Sequence, residues 1–142
     1  MKPKIIFLQG SFDLINWGHI KAFEEMAGIG YVIIGLNSNE LLKAYKKREP
    51  VLPWEQKKFI IESCKFVNEV VLAPEFSPLK LLKQHEVDVY CLTKEWEHTK
   101  AEEIAYMRSK GGEVYFLPRY EGVVCTSDIK RILLKEAQEG TT

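Results

Sequence analysis

The sequence predicts an α/β fold in which helices cover both faces of a mostly parallel five-stranded sheet. Apolar runs of strand length alternate with stretches of helical period, and this alternation is typical of βαβ units. The chain has 142 residues, of which 46% are hydrophobic. A chain of that length buries enough surface for a core without a disulfide or a metal. We therefore expect one domain over residues 1–142.

The predicted elements alternate along the whole chain. The five strands are predicted over residues 4–9, 31–36, 69–72, 88–92 and 113–117. The helices are predicted over residues 18–27, 39–44, 53–65, 78–84, 101–110 and 126–139. Their boundaries follow from local signals: Pro53 suits a first helical turn, and Gly111 and Gly112 end the fifth helix.

The balance of charge argues against large polyanionic partners. The chain contains 20 Lys and Arg against 20 Asp and Glu, so its formal net charge is zero. A protein that binds nucleic acid carries a basic surface, and we expect no nucleic-acid partner. No apolar run approaches the roughly 20 residues of a spanning helix, and no secretory signal precedes the first strand. We therefore expect no membrane span and a cytoplasmic location.

The loop after the first predicted strand is the most informative segment. Residues 9–19 are Gln-Gly-Ser-Phe-Asp-Leu-Ile-Asn-Trp-Gly-His, and a helix is predicted to follow at once. In an open parallel sheet, ligands bind beyond the carboxyl ends of the strands, where a helix start binds anions. Gly10 and Gly18 allow a close backbone approach, and His19 could donate a hydrogen bond to a phosphate oxygen. The loop has neither the dinucleotide fingerprint nor a P-loop, so it predicts a different phosphate chemistry.

Several candidate residues have a purely structural alternative. Asn16 suits a helix cap as well as a ligand contact. We expect Asp13 to brace the loop through backbone hydrogen bonds rather than to bind a metal. Lys46 belongs to a charge run of a kind that is usually a solvated surface. Trp96 could be a packing residue, and Cys125 is treated as non-catalytic because no base is evident nearby.

Three separate segments resemble the cytidylyltransferases, and most closely the glycerol-3-phosphate branch of that family. Residues 10–14 and 16–19 resemble the Gly-Thr-Phe-Asp-Leu and His-Trp-Gly-His segments of the family. Residues 65–71 resemble its Arg-Tyr-Val-Asp-Glu-Val-Val segment, and residues 119–129 resemble its Arg-Thr-Glu-Gly signature and the helix start that follows it. Residues 50–56 also resemble the adenylyltransferase part of bifunctional heptose enzymes, so the nucleotide base stays open.

The resemblance implies a Rossmann-like three-layer nucleotidyltransferase fold with its site across the first and fourth strands. A phosphomonoester oxygen would attack the α-phosphate of CTP, and pyrophosphate would leave without a covalent enzyme intermediate. The acceptor would be a small phosphorylated alcohol, glycerol 3-phosphate first, and Mg²⁺ would arrive with the triphosphate. The alternatives are an adenylyltransferase that uses ATP on a sugar phosphate, and a nucleotide-binding subunit with weakened catalysis. A homodimer is also implied, through the segment that contains Phe66 and Val71.

The same resemblance assigns roles to individual residues. His19 would donate to phosphate oxygens, while Asn16 stands where the family has its first motif histidine and cannot become cationic. Glu95 takes the place of the aspartate that accepts from the cytosine amino group, although adenine also carries such a group. The full catalytic set is His19, Asn16, Lys46 and Arg119. The nucleotide-binding set is Gly10, Ser11, Phe12, Asp13, Gly18, Lys57, Glu95, Trp96, Thr126 and Ser127. No protein ligand for a metal is predicted.

Overall fold

A parallel sheet of five strands forms the centre of the computed structural model, which describes residues 2–118 and 126–140. The strand order is β3-β2-β1-β4-β5, and every neighbouring pair is parallel. The strands are β1 (Ile5–Gly10), β2 (Tyr31–Asn37), β3 (Glu69–Ala73), β4 (Val89–Thr93) and β5 (Glu113–Leu117). The predicted α/β class is confirmed, and the sheet is wholly rather than mostly parallel.

Six α-helices connect or follow these strands within the described ranges. They are α1 (Trp17–Ala27), α2 (Asn39–Lys46), α3 (Trp54–Glu62), α4 (Leu79–Gln84), α5 (Ala101–Ser109) and α6 (Thr126–Glu139). The largest difference from prediction is α3, which was expected to reach residue 65. It ends earlier because a turn follows Ser63, in which the N–H of Cys64 donates to Ile61. The N–H of Asn68 then donates to Val32, which brings the chain into the sheet.

The apolar core lies on both faces of the sheet. Successive side chains of a strand point to opposite faces, and Ile6 and Phe7 accordingly belong to two different buried clusters. One cluster packs β1, β2 and β4 against α1 through Phe23 and Met26. The other packs the sheet against α4 and α5. The three-layer arrangement leaves the carboxyl ends of β1 and β4 side by side.

No helix among residues 2–118 and 126–140 combines the length and the apolar character that a membrane crossing requires. The structure therefore gives no membrane-spanning helix within these ranges.

Candidate functional site

A cavity of about 670 Å³ opens at the carboxyl ends of the strands. Residues from the ends of β1, β2, β4 and β5, and from the start of α1, line it. The cavity therefore lies at the edge of the sheet where the sequence predicted a site. The lining includes eight of the predicted site residues: Gly10, Ser11, Phe12, Asn16, Gly18, His19, Glu95 and Trp96.

The other predicted residues are placed differently. Lys46 is exposed at the end of α2, with its ammonium group over the Tyr45 ring, and Ser127 is exposed on α6. Asp13 and Lys57 are buried beside each other behind the cavity lining. Arg119 lies outside the described residues, and Thr126 is described only as the first residue of α6. Their contacts with a nucleotide stay predictions.

The start of α1 is built around Asn16. Its side-chain Oδ1 accepts from the N–H of Gly18 at 3.0 Å, and its Nδ2 donates to the carbonyl of Leu14 at 3.2 Å. Its backbone N–H donates to Nδ1 of His19 at 3.1 Å, which completes a capping box. An N-cap side chain satisfies helix N–H groups that otherwise lack partners. Asn16 therefore has a structural role at the cavity wall, in the position where the family resemblance expects a phosphate donor.

This capping box also fixes the protonation state of His19. Because Nδ1 accepts a hydrogen bond from Asn16, the imidazole proton is carried by Nε2. Burial lowers the pKa of His19 to about 4 from its usual 6.5. His19 is consequently uncharged at neutral pH, and it offers the cavity a neutral Nε2–H donor.

The low pKa of His19 predicts an unusual response to pH. An unfolded histidine takes up a proton near its usual pKa of 6.5, whereas folded His19 does so only near 4. Between pH 6.5 and about 4 the unfolded chain binds a proton at this histidine and the folded chain does not. Neutral His19 therefore favours the folded state at neutral pH, and the free energy of unfolding falls as the pH is lowered through this range. Proton–nitrogen correlation NMR of the imidazole is expected to show a neutral Nε2–H form at pH ~6 to ~8. Titration of His19 near 6.5 would contradict this assignment.

The Phe12 ring packs against the His19 imidazole. Its backbone adopts a left-handed conformation (φ 46°), which is unusual for a bulky residue. Its ring meets the His19 ring edge to face at 5.2 Å and the Phe23 ring at 5.5 Å. A Cβ at Gly10 would stand 3.0 Å from the Phe12 ring. Gly10 therefore makes room for Phe12, which in turn holds His19 in place.

Asp13 joins three distant segments to the first loop. Its carboxylate accepts from the backbone N–H groups of Val51 (2.8 and 3.0 Å) and Leu52 (3.3 Å). Arg48 donates to Oδ2 at 3.1 Å. Two ammonium groups lie slightly farther away, Lys57 at 3.8 Å and Lys130 at 3.6 Å. Burial alone would raise the pKa of the Asp13 carboxyl. The hydrogen bonds and the nearby positive charges have the larger combined effect, so this pKa is lowered.

The cations around Asp13 outnumber its single negative charge. Lys57 is only 1% exposed, and burial lowers its pKa while Asp13 opposes that effect. Burial similarly lowers the pKa of Lys130. Neither ammonium group has a hydrogen-bond partner among the described residues. We call this group, formed by Asp13, Arg48, Lys57 and Lys130, the Asp13 cluster.

The far side of the cavity is formed by the segment after β4. Glu95 lies in a short 3₁₀ turn and accepts a hydrogen bond from the Thr93 hydroxyl at 3.0 Å. The ammonium group of Lys94 lies 4.4 Å above the centre of the Phe116 ring and pairs with Glu97. Glu95 and Lys94 both line this part of the cavity, while the Lys94 ammonium group is held by Glu97 and Phe116, which lie outside the lining.

Sequence reasoning missed the residues at the β2 side of the cavity. Gln9 and Asn37 are the polar ends of β1 and β2, and a polar residue at the carboxyl end of a buried parallel strand is a usable signal. Tyr45, Phe76 and Lys100 lie on α2 and on two loops, and no local motif distinguishes them. Among residues 2–118 and 126–140, the lysines that line the cavity are Lys94 and Lys100.

A cavity beyond the carboxyl ends of parallel strands, with a helix start at its wall, is the arrangement in which open α/β sheets bind ligands and helix starts bind anions. The sequence itself is more specific. The family model described as cytidylyltransferase-like matches residues 7–132, and the chain belongs to this family. Its membership in a nucleotidyltransferase family supports transfer of a nucleotidyl group to a phosphorylated acceptor.

Individual relatives agree with the family. The chain is 29% identical over 125 residues to glycerol-3-phosphate cytidylyltransferase of Bacillus subtilis, a match that covers 87% of this chain and 92% of that protein. It is 32% identical over 89 residues to a probable ethanolamine-phosphate cytidylyltransferase of Encephalitozoon cuniculi, and this match covers 62% of the chain but 28% of that longer protein. A lipopolysaccharide core biosynthesis protein from Thermoplasma volcanium shares the fold, with a TM-score of 0.71 and 17% identity over 83% of this chain and 98% of that one.

Proposed function

We propose that this protein transfers CMP from CTP to a small phosphorylated alcohol, with glycerol 3-phosphate as the first candidate, and releases pyrophosphate. A phosphate oxygen of the acceptor forms the new P–O bond at the α-phosphorus of CTP. The bond from the α-phosphorus to the bridging oxygen breaks, and that oxygen leaves as part of pyrophosphate. No residue needs to act as a covalent nucleophile, because positioning and charge stabilisation suffice for such a transfer.

The observation that carries this proposal is the Nε2–H donor of His19. Negative charge builds on the phosphate oxygens in the transition state, and a fixed donor in a partly desolvated site stabilises it without reorganisation. Nδ1 of His19 is held by the Asn16 N–H, and its ring is held by Phe12. The donor is therefore oriented before substrate arrives.

His19 is neutral before the triphosphate binds, so the positive charge that first attracts the triphosphate must come from other residues. We propose that Lys46 and Arg119 complete the site when the triphosphate binds, as the family resemblance implies. Lys57 contributes to the same field through the Asp13 cluster, and Ser127 and the Thr126 backbone meet phosphate at the start of α6. A homodimer is part of the same proposal, because residues 65–71 match a family segment near a dimer interface.

Mg²⁺ is proposed to enter with the triphosphate. The described residues contain no group of three His, Cys, Asp or Glu side chains placed to hold a metal ion. Glu95 and Asp128 are carboxylates of the cavity lining, but they do not amount to a built metal site. Phosphate oxygens and water would supply most of the Mg²⁺ ligands, and the ion would offset negative charge on the triphosphate.

CTP is proposed over ATP because several relatives that are matched over most of their own length are cytidylyltransferases. Glu95 supplies an acceptor for the amino group of cytosine, but adenine presents a similar group. The preferred nucleotide base is therefore determined by experiment.

The protein is incubated with Mg²⁺, one nucleoside triphosphate, and glycerol 3-phosphate, phosphoethanolamine or a sugar phosphate, and pyrophosphate is measured. We expect release with CTP and glycerol 3-phosphate. Release with ATP alone, or tight nucleotide binding without release, would contradict the proposal.

A further inference from the structure

Three aromatic rings line the cavity around Phe76. The Tyr45 ring meets the Phe76 ring at 5.5 Å, and the Trp96 ring meets it at 6.0 Å. Tyr45, Phe76 and Trp96 are each between 37% and 38% exposed and line the cavity, so part of each ring is accessible. We call Tyr45, Phe76, Gln9 and Lys100 the Phe76 cluster, and we leave Trp96 to the nucleotide, to which the family resemblance assigns it.

A group of aromatic faces in a cavity would ordinarily attract a cationic ligand. Ring faces are electronegative, and sites that recognise alkyl-ammonium groups are built from them. In this chain a lysine already occupies the Phe76 ring face, because the Lys100 ammonium group lies 3.5 Å from the centre of that ring. The same nitrogen donates to the Phe76 carbonyl at 2.7 Å, and Lys100 is only 8% exposed. Burial lowers the pKa of Lys100, and the buried Glu103 carboxylate opposes that effect. A ligand ammonium group on the Phe76 ring would therefore meet the positive charge of Lys100 at close range.

Gln9 gives an independent indication of what the cluster accepts. Its Nε2 donates to Asn37 at 3.0 Å, to the Glu75 carbonyl at 2.8 Å and to the Phe76 carbonyl at 3.3 Å. These contacts fix the amide, and its buried Oε1 has no hydrogen-bond partner among the described residues. A buried acceptor without a partner is costly, and a ligand O–H group that reaches it through a shift of the cavity lining would satisfy it. Gln9 lies next to Lys100, because both donate to the Phe76 carbonyl oxygen.

Hydroxyl groups extend this polar surface towards the first loop. Asn37 donates to the Ser11 hydroxyl at 3.0 Å, and that hydroxyl is hydrogen-bonded to the Tyr45 hydroxyl at 3.0 Å. All of these side chains line the cavity. Together they provide several donors and acceptors for a neutral polyol, beside one positive charge.

We propose that Lys100 selects the acceptor: the Phe76 cluster receives the hydroxyl-bearing end of a polyol phosphate and rejects the ammonium end of an amino-alcohol phosphate. The inference rests on the proposed function and deepens it, because it separates two acceptor classes that the matched relatives use. Lys100 acts by repulsion of the wrong acceptor as well as by attraction of the right one, which is how specificity between similar ligands is commonly achieved.

The test measures kcat/KM for glycerol 3-phosphate and for phosphoethanolamine, with CTP as donor. The ratio of the two values, which is the acceptor preference, is then compared between the wild type and its variants. The wild-type protein is expected to prefer glycerol 3-phosphate. In K100M the preference is expected to fall by about tenfold or more, because a like-charge contact is removed and the Phe76 face is freed. K110M is the matched control, since Lys110 also donates to a backbone carbonyl and lies over a ring, Tyr106, but does so away from the cavity. Its preference should equal that of the wild type.

A binding measurement separates this inference from the proposed function. Calorimetric titration with each phosphate ester alone requires no turnover, so it remains informative if CTP proves to be the wrong donor. The wild type should bind glycerol 3-phosphate more tightly, and K100M should lose that preference. K100Q, which keeps a donor for the Phe76 carbonyl without the charge, replaces K100M if the latter does not fold. An unchanged preference in the variants, tighter wild-type binding of phosphoethanolamine, or binding of neither ester would overturn the inference.

Discussion

Replacement of His19 by alanine is expected to lower kcat by about a hundredfold or more, because it removes the oriented Nε2–H donor from the transition state. The KM values for both substrates should change far less, since the donor matters most when the phosphate oxygens gain charge. The measurement is steady-state pyrophosphate release with CTP and glycerol 3-phosphate. A kcat within a few-fold of wild type would remove His19 from the mechanism.

His19→Gln is the matched control for this experiment. Glutamine three residues after an N-cap can accept from the N-cap backbone N–H, so it is expected to preserve the capping box with Asn16. When its Oε1 accepts from Asn16, its side-chain amide still offers an N–H donor in place of the imidazole Nε2–H. We therefore expect a thermal unfolding midpoint close to that of the wild type together with a kcat well above that of His19→Ala. A lowered kcat that tracked a lowered midpoint in both variants would instead indicate a structural role for His19.

Replacement of Asp13 by asparagine is expected to lower the free energy of unfolding by about 3 to 5 kcal/mol, measured by urea denaturation. The substitution leaves the Lys57 ammonium group, 1% exposed, without its counter-charge. It also weakens the hydrogen bonds to Arg48 and to the Val51 N–H. The loss should be largest at neutral pH. Because the folded pKa of Asp13 is lowered, the contribution of the carboxylate is lost as the pH falls below the ordinary carboxyl range.

The double variant Asp13→Asn, Lys57→Met identifies the cause of this loss. If an uncompensated buried ammonium group dominates, removing that group as well should restore part of the stability. Lys58→Met on the same helix is the control, since Lys58 is partly exposed and pairs with Glu62 on the surface. It should not rescue Asp13→Asn. A loss of less than about 1 kcal/mol for the single variant would show that the Asp13 cluster does not stabilise the fold.

The regular parts of this structure could be predicted from the sequence because local patterns determine them. Apolar runs alternating with helical segments predicted all five strands and their connection by helices. The first loop was informative for a similar reason: its residues are consecutive, and the end of β1 and the start of α1 place Ser11, Asn16 and His19 at one cavity. The family motif and the local geometry thus depend on the same short segment.

The charges of the site could not be predicted in the same way. The family resemblance places His19, Lys46, Lys57 and Arg119 at the nucleotide, but it does not give the charge that each of them carries. His19 is neutral because burial and the Asn16 N–H act on it, and Lys57 pairs with Asp13. Such effects depend on desolvation and on partners far away in the sequence.

The contacts within the Phe76 cluster are even harder to predict from the sequence. Phe76 follows β3 and Lys100 follows β4, and these strands are separated in the sheet by β2 and β1. Their loops meet only because both extend over the carboxyl ends of the strands between them, as the hydrogen bonds from Gln9 to Glu75 and Phe76 show. No spacing in the sequence indicates this contact, although it decides which acceptor the cavity suits in our account.

The most direct test of nucleotidyl transfer is phosphorus NMR of a mixture of the protein, Mg²⁺, CTP and glycerol 3-phosphate. Our account predicts that CTP and glycerol 3-phosphate disappear together while pyrophosphate and a cytidine diphosphate ester of glycerol appear in equal amounts. Unchanged CTP, or its hydrolysis to CMP and pyrophosphate with glycerol 3-phosphate left intact, would contradict it.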